Sequence, residues 1–146
     1  MAVVELLEAA GYRRIPLSRN DTGHFQATGT LAGRPLTVLV DTGADSTLVS
    51  IDVARELGLA LEPLKGAGGG AGGVNLDIFK VSGGDLQVGD VRPRAKALYA
   101  MDLSHVNAAF ARQGASHIDA ILGVDVFDAH SAVIDYGSNS LFLRDI

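Results

Sequence analysis

Asp41, Thr42 and Gly43 stand where a buried-type strand pattern breaks off in a reactive group. The stretch Leu36 to Ser50 reads Leu-Thr-Val-Leu-Val-Asp-Thr-Gly-Ala-Asp-Ser-Thr-Leu-Val-Ser. An apolar, β-branched run ends in a carboxylate, a hydroxyl and a glycine, and a second apolar run begins with Thr47-Leu48-Val49. A carboxylate at the end of a buried strand is costly to desolvate. It keeps its place only through backbone hydrogen bonds, a charge-sharing partner, or water. Such a group suits general acid-base catalysis. The plainer alternative is that Asp41 caps a turn completed by Thr42 and Gly43.

The elements that must position this group follow from the pattern on either side. Met1 to Ala10 places Val3, Val4, Leu6, Leu7 and Ala10 near one helical face, and Gly11 supplies a stop, so a short N-terminal helix is expected to pack on the domain. Arg13 to Leu17 reads as a strand. His24 to Leu31 and Arg34 to Val40 read as the two arms of a hairpin turned by Ala32-Gly33, so Asp41 ends the second arm. Ser50 is placed to cap a helix through Asp52 to Leu57 that Gly58 ends in a left-handed conformation.

Leu59 to Leu64 and Val74 to Val81 form a second pair of extended arms around a glycine-rich tip, with bare backbone at its turn. Strands follow at Asp85 to Val88 and Val91 to Met101, then a helix over Asp102 to Gln113. A buried strand, Ile118 to Leu122, ends at Gly123, and Val124 to Phe127 forms a short amphipathic turn. Ala132 to Tyr136 and Ser140 to Arg144 close the chain. Many short strands at close spacing with few helices make the fold mainly β.

Composition excludes several classes. The 146 residues, 47% hydrophobic and 20% charged, suit one domain with its own core. A net charge of -5 gives no basic footprint for a phosphate backbone, so nucleic acid is not an expected partner, and Arg13-Arg14 and Arg92 to Lys96 read as solvated faces. There is no cysteine, which excludes disulfides and thiolate-bound zinc. His24, His105, His117 and His130 lack a Glu or His at metal-ligand spacing, so neither metal nor cofactor is expected, and Asp119 beside His117 reads as surface. Asp125 and Asp135 read as structural. Gly68, Gly70 and Gly73 satisfy a dinucleotide-binding spacing, but a strand pattern follows them where a helix is required. The acidic N-terminus and the lack of a long apolar run point to a cytoplasmic protein without a membrane partner.

The segment Val40-Asp41-Thr42-Gly43-Ala44-Asp45 resembles the active-site signature of retropepsin-like aspartic proteases, the single-domain relatives of pepsin found in retroviruses, retrotransposons and many bacteria. Gly69, Gly70, Ala71, Gly72 and Gly73 resemble that family's flap, and Ile121, Leu122 and Gly123 its second signature, which passes behind the catalytic loop. Val124 to Phe127 and Ala132 to Tyr136 are closer to the retrotransposon and bacterial branches than to the viral one.

The resemblance implies a closed-barrel-like acid protease fold over 12–146, with 1–11 as a helical extension, acting as a homodimeric aspartic endopeptidase on extended peptide. Such an enzyme needs two carboxyls sharing one proton, and the chain carries a single Asp-Thr-Gly, so each subunit of a homodimer would supply one Asp41. The same resemblance gives Thr42 a hydrogen bond across the two-fold axis and Ala44, Asp45 and the flap glycines a substrate-binding role. Leu141 to Ile146 reads by itself as an ordinary edge strand, and the resemblance makes the C-terminal strands of two subunits interleave into a shared sheet. Where retroviral enzymes carry an arginine paired to the aspartate matching Asp45, this sequence has Val124, so that pairing is absent or supplied elsewhere. The 102–113 helix replaces a shorter viral connection and is expected near the substrate entrance or dimer edge. The alternative function is a non-catalytic module that uses the same fold to bind peptides or partners.

Overall fold

A computed structural model describes residues 2–64 and 77–146. The helices are α1 (Ala2–Ala9), α2 (Ile51–Glu56), α3 (Ser104–Arg112) and α4 (Val124–Ala129). The strands are β1 (Tyr12–Pro16), β2 (Ser18–Arg19), β3 (Phe25–Leu31), β4 (Arg34–Val40), β5 (Leu48–Ser50), β6 (Ala60–Pro63), β7 (Ile78–Ser82), β8 (Leu86–Val88), β9 (Leu98–Met101), β10 (Ala120–Leu122), β11 (Val133–Asp135) and β12 (Ser140–Arg144). The chain is mainly β with a few short helices, as its strand spacing predicts.

One sheet runs in the order β2-β3-β4-β10-β5-β9-β7-β6, with β8 also paired to β3. The expected closed barrel is corrected here, because among the described residues this order is open, ending at β2 and β6. The remaining strands, β1, β12 and β11, pair with one another in a separate antiparallel sheet. Ile15, Leu141 and Leu143 from that sheet meet Val38, Val40 and Leu122 from the larger one in the main core. Because β12 is the middle strand, bonded on both sides within its own chain, it is neither the edge strand nor the interleaving strand expected from the sequence.

The β3–β4 hairpin turns through Ala32 (φ 48°) and Gly33 (φ 82°), two left-handed residues as a tight two-residue hairpin turn requires. β4 and β10 pair in parallel and are buried on both faces, which is why both read as nearly continuous apolar runs. Val38, Val40, Ala120 and Leu122 face the main core. Leu39 and Ile121 face the other way, into a smaller core completed by Leu103 and Phe110 around α3 and by Ile118. The α1 helix lies against β1 with Val4 and Leu7 half-buried, but none of its residues is fully buried and Leu6 is 70% exposed, so it packs on the domain's surface without entering the core. The strand expected from Val91 narrows to β9; the segment before it is held instead by the buried His130, whose Nε2 accepts from the Arg94 N–H at 2.9 Å. His130 Nδ1 lies 2.8 Å from the Arg144 carbonyl oxygen, which makes Nδ1 the protonated nitrogen. No helix among the described residues is long and apolar enough to cross a membrane.

Candidate active site

Asp41 follows directly on β4, and its N–H donates to the Leu122 carbonyl at 3.0 Å, extending the parallel β4–β10 ladder by one bond. The first strand of the motif thus ends beside the strand carrying Ile121, Leu122 and Gly123. β5 pairs with the opposite side of β10, through Ala120 to Val49 and Ile121 to Leu48. The loop from Asp41 to Thr47 must therefore cross over the end of β10 to get from one neighbour to the other.

Gly123 lies under that crossing. A Cβ on it would sit 2.7 Å from the Ala44 carbonyl oxygen and 2.9 Å from the carbonyl carbon and oxygen of Ser46, closer than a side chain can approach. With no side chain there, Val124 N–H donates to Ala44 O at 2.8 Å and Gly123 N–H to Thr47 Oγ1 at 3.0 Å. The two glycine-bearing motifs of the sequence are thus two halves of one crossing, and the structure brings Asp41, Thr42, Gly43, Ala44 and Asp45 together with Ile121, Leu122 and Gly123.

Within the loop, Asp41 Oδ1 accepts from Gly43 N–H at 2.9 Å, and the Asp41 carbonyl accepts from Ala44 N–H at 3.2 Å. The carboxylate does cap its own turn. Its Oδ2 has no hydrogen-bond partner among the described residues, so capping occupies only half of the group. Asp41 is half-buried, while Thr42, Gly43 and Asp45 are exposed. Asp45 forms no ion pair among the described residues. The flap positions Gly69, Gly70, Ala71, Gly72 and Gly73 lie outside the described residues.

Three anchors around the loop have little signal in the sequence. Asp125, the second residue of α4, accepts from Thr47 Oγ1 at 2.7 Å and from Thr47 N–H at 3.0 Å, and so ties the far end of the loop to α4. This bears out the structural reading of Asp125 and puts a brace one position past Val124. Asp119 is corrected from surface to structural: its side chain is 19% exposed and accepts from Thr37 N–H at 2.9 Å, fixing β4 against the approach to β10. Asn107, in mid-helix on α3, accepts from Ile118 N–H at 2.8 Å and donates to Ile118 O at 3.1 Å. The α3 helix therefore packs behind the loop, with Ala44 and Leu48 against its apolar cluster. Paired donors and acceptors of this kind have no sequence periodicity. The weak signals were a hydroxyl opening an apolar strand and an Asn inside a helix pattern, where it has low propensity. Among the described residues no three His, Asp or Glu side chains come together as a metal site.

A family model described as aspartyl protease matches residues 27–126. The chain is a retropepsin-like member of the aspartyl protease family. Two solved structures share the retropepsin-like fold. A retropepsin-like aspartic protease from Rickettsia conorii superposes with a TM-score of 0.55 at 17% identity, over 90% of each chain. The retroviral protease-like domain of Ddi1 from Leishmania major gives 0.55 at 17% identity, over 83% of this chain and 88% of that one. A curated relative, an uncharacterized protein in the cobV 5' region of a Sinorhizobium species, is 32% identical over 54 residues. That match spans 37% of this chain and only 23% of the relative's length.

Proposed function

We infer that this retropepsin-like chain is an aspartic endopeptidase, cleaving extended peptide with a water held between Asp41 and the Asp41 of a second copy. The reading rests on one observation above all. Asp41 is a half-buried loop carboxylate placed by the strand ladder, with Oδ2 uncommitted, while Asp125 has both oxygens engaged by backbone and hydroxyl donors and Asp119 anchors the Thr37 N–H.

Peptide hydrolysis without a metal needs one carboxylate to take a proton from water and one carboxylic acid to polarise the scissile carbonyl. Two carboxyls held close share a single proton, because both cannot ionise side by side; this is the known arrangement of aspartic proteases. The ionised member removes a proton as the water oxygen bonds to the carbonyl carbon, and the protonated member gives its proton to the carbonyl oxygen. Collapse of the resulting diol breaks the C–N bond, and a proton passes to the leaving amine. One chain holds a single Asp-Thr-Gly, so the pair forms across an isologous homodimer, where Thr42 braces the two loops and Gly43 lets them approach. Ala44 and Asp45 contact the substrate backbone, and residues 69–73 close over it as a flap. Residues 12–146 form the protease domain, with 1–11 appended.

The test is cleavage of an unfolded protein by wild type and by Asp41→Asn, over a dilution series with the mass measured in solution. Cleavage lost in the variant, with specific activity falling as the dimer dissociates, is the expected result. Equal cleavage by both proteins sinks the assignment, and a folded, inert monomer points to the peptide-binding alternative.

A further inference from the structure

The chain enters β10 through Ile118 and Asp119, and three different elements hold that entry. Asp119 N–H donates to Thr37 O on β4 at 2.9 Å, and the Asp119 carbonyl accepts from Ser50 N–H on β5 at 2.7 Å. Ile118, one residue earlier, pairs instead with α3. Both of its peptide groups go to one side chain: Asn107 Oδ1 accepts from Ile118 N–H at 2.8 Å, and Asn107 Nδ2 donates to Ile118 O at 3.1 Å. The other contact of Nδ2 is with His117 Nε2, 3.4 Å away. We propose that Asn107 is a positioning residue for the Asp41 carboxylate, its carboxamide acting in place of a neighbouring strand at the entry to β10. The proposal rests on the endopeptidase reading above and deepens it.

Two routes join that amide to the carboxylate. The polar route runs along β10 from Ile118 to the Leu122 carbonyl, which accepts from Asp41 N–H at 3.0 Å. The apolar route runs through the smaller core, where Ile118, Leu103 and Phe110 pack with Ala44 and Leu48. Ala44 is bonded to both sides of the crossing, through its N–H to Asp41 O and through its carbonyl to Val124 N–H. A shift of α3 therefore moves the support of Ala44 and the end of β10 together.

The residue type fits the task. A carboxamide offers one acceptor and one donor in a plane, as a strand's peptide groups do; a carboxylate offers acceptors alone and leucine offers neither. Asparagine is also a poor helix former, and position 107 lies inside α3, so local propensity does not account for it.

The experiment compares wild type, Asn107→Leu, Asn107→Asp and His117→Ala in the full chain. Leucine keeps the volume and strands both Ile118 groups. Aspartate keeps the acceptor for Ile118 N–H and serves should the leucine variant not fold. The alanine variant removes only the exposed third contact and is expected to match wild type. Hydrogen exchange read by NMR is expected to show the Asp41 and Val124 amides exchanging about ten-fold faster in the Asn107 variants, measured relative to amides of the β1–β12 pair in the other sheet. Cleavage of an unfolded protein is followed at concentrations where the dimer is complete. There kcat per folded molecule is expected to fall about ten-fold with KM little changed. The two limbs of the pH profile are expected to draw together, because carboxyls held less closely share a proton less strongly. A merely structural asparagine lowers stability in urea and leaves the exchange ratio, kcat and limb separation as in wild type; that result overturns the proposal. Faster loop exchange with kcat and pH profile unchanged overturns it too. Faster loop exchange in a protein that cleaves nothing, wild type included, faults the catalytic reading and leaves Asn107 as the residue that places the loop.

Discussion

Thr47 and Asp125 lie 78 positions apart and are joined by two hydrogen bonds, hydroxyl to Oδ1 at 2.7 Å and backbone N–H to Oδ2 at 3.0 Å. The same hydroxyl accepts from Gly123 N–H, so a single oxygen links the loop, the end of β10 and the start of α4. Thr47 is 1% exposed, which leaves no water to replace it. Thr47→Val keeps the shape and strands the Gly123 N–H, at an expected cost of about 2 kcal/mol in urea unfolding. Thr47→Ser should recover most of that.

Gly123 is required by steric approach and not by backbone conformation, since its φ of -115° is open to any residue. Gly123→Ala drives a methyl into the carbonyls of Ala44 and Ser46. The expected outcome is a loss of about 1–3 kcal/mol, typical of overpacking, together with a displaced Asp41 loop. Cleavage should therefore fall by more than the folded fraction does; a variant whose activity tracks its folded fraction would show that the crossing does not position the carboxylate.

The α1 helix contributes no buried residue. Deleting residues 2–9 is expected to change unfolding free energy by no more than about 0.5 kcal/mol, as for surface changes that remove no core contact. Gly11 should be retained, because its carbonyl accepts from Asp145 N–H at 3.0 Å beside β12. A large loss of stability on deletion would contradict the boundary between the extension and the domain.

The Ser138 hydroxyl donates to Asp135 Oδ2 at 2.6 Å and, helped by the N–H groups of Gly137 and Ser138, holds the Asp135 carboxyl below the usual carboxylate range. Asp102 is lowered likewise, first by the backbone N–H of Ser104 and then by its hydroxyl. Folding lowers both values, so the unfolded chain holds these protons more tightly. Their stabilisation is complete above the ordinary value of about 4 and is lost as the pH falls through the lowered one. A carboxyl-carbon NMR titration should show the Asp135 midpoint rising towards the ordinary value in Ser138→Ala, with the acid limb of unfolding moving to higher pH. An unchanged midpoint would remove the hydroxyl as the cause.

The legible parts of this protein were those encoded by neighbours in the chain. The apolar run ending at Asp41, the Ala32-Gly33 turn, the Gly58 stop after α2 and the Ile121-Leu122-Gly123 strand are local patterns, and each forms where its residues predict. Locality also explains the misses. The α1 helix shows a helical period but no fully buried residue, because a pattern states which face is apolar and not how completely anything covers it. The terminal strand β12 reads as an edge by its position in sequence, yet it is central because β1, more than a hundred residues earlier, pairs on its free side.

By itself the sequence determined the strands, their turns, and the two motifs that mark the family. Only the tertiary structure decided that those motifs meet at one crossing, and that Thr47, Asp119 and Asp125 serve as anchors while Asp41 keeps an oxygen free. The physical reason is that a polar side chain carries no periodicity. Whether it is an anchor, a solvated charge or a reactive group depends on which distant backbone donors and acceptors the fold leaves within reach.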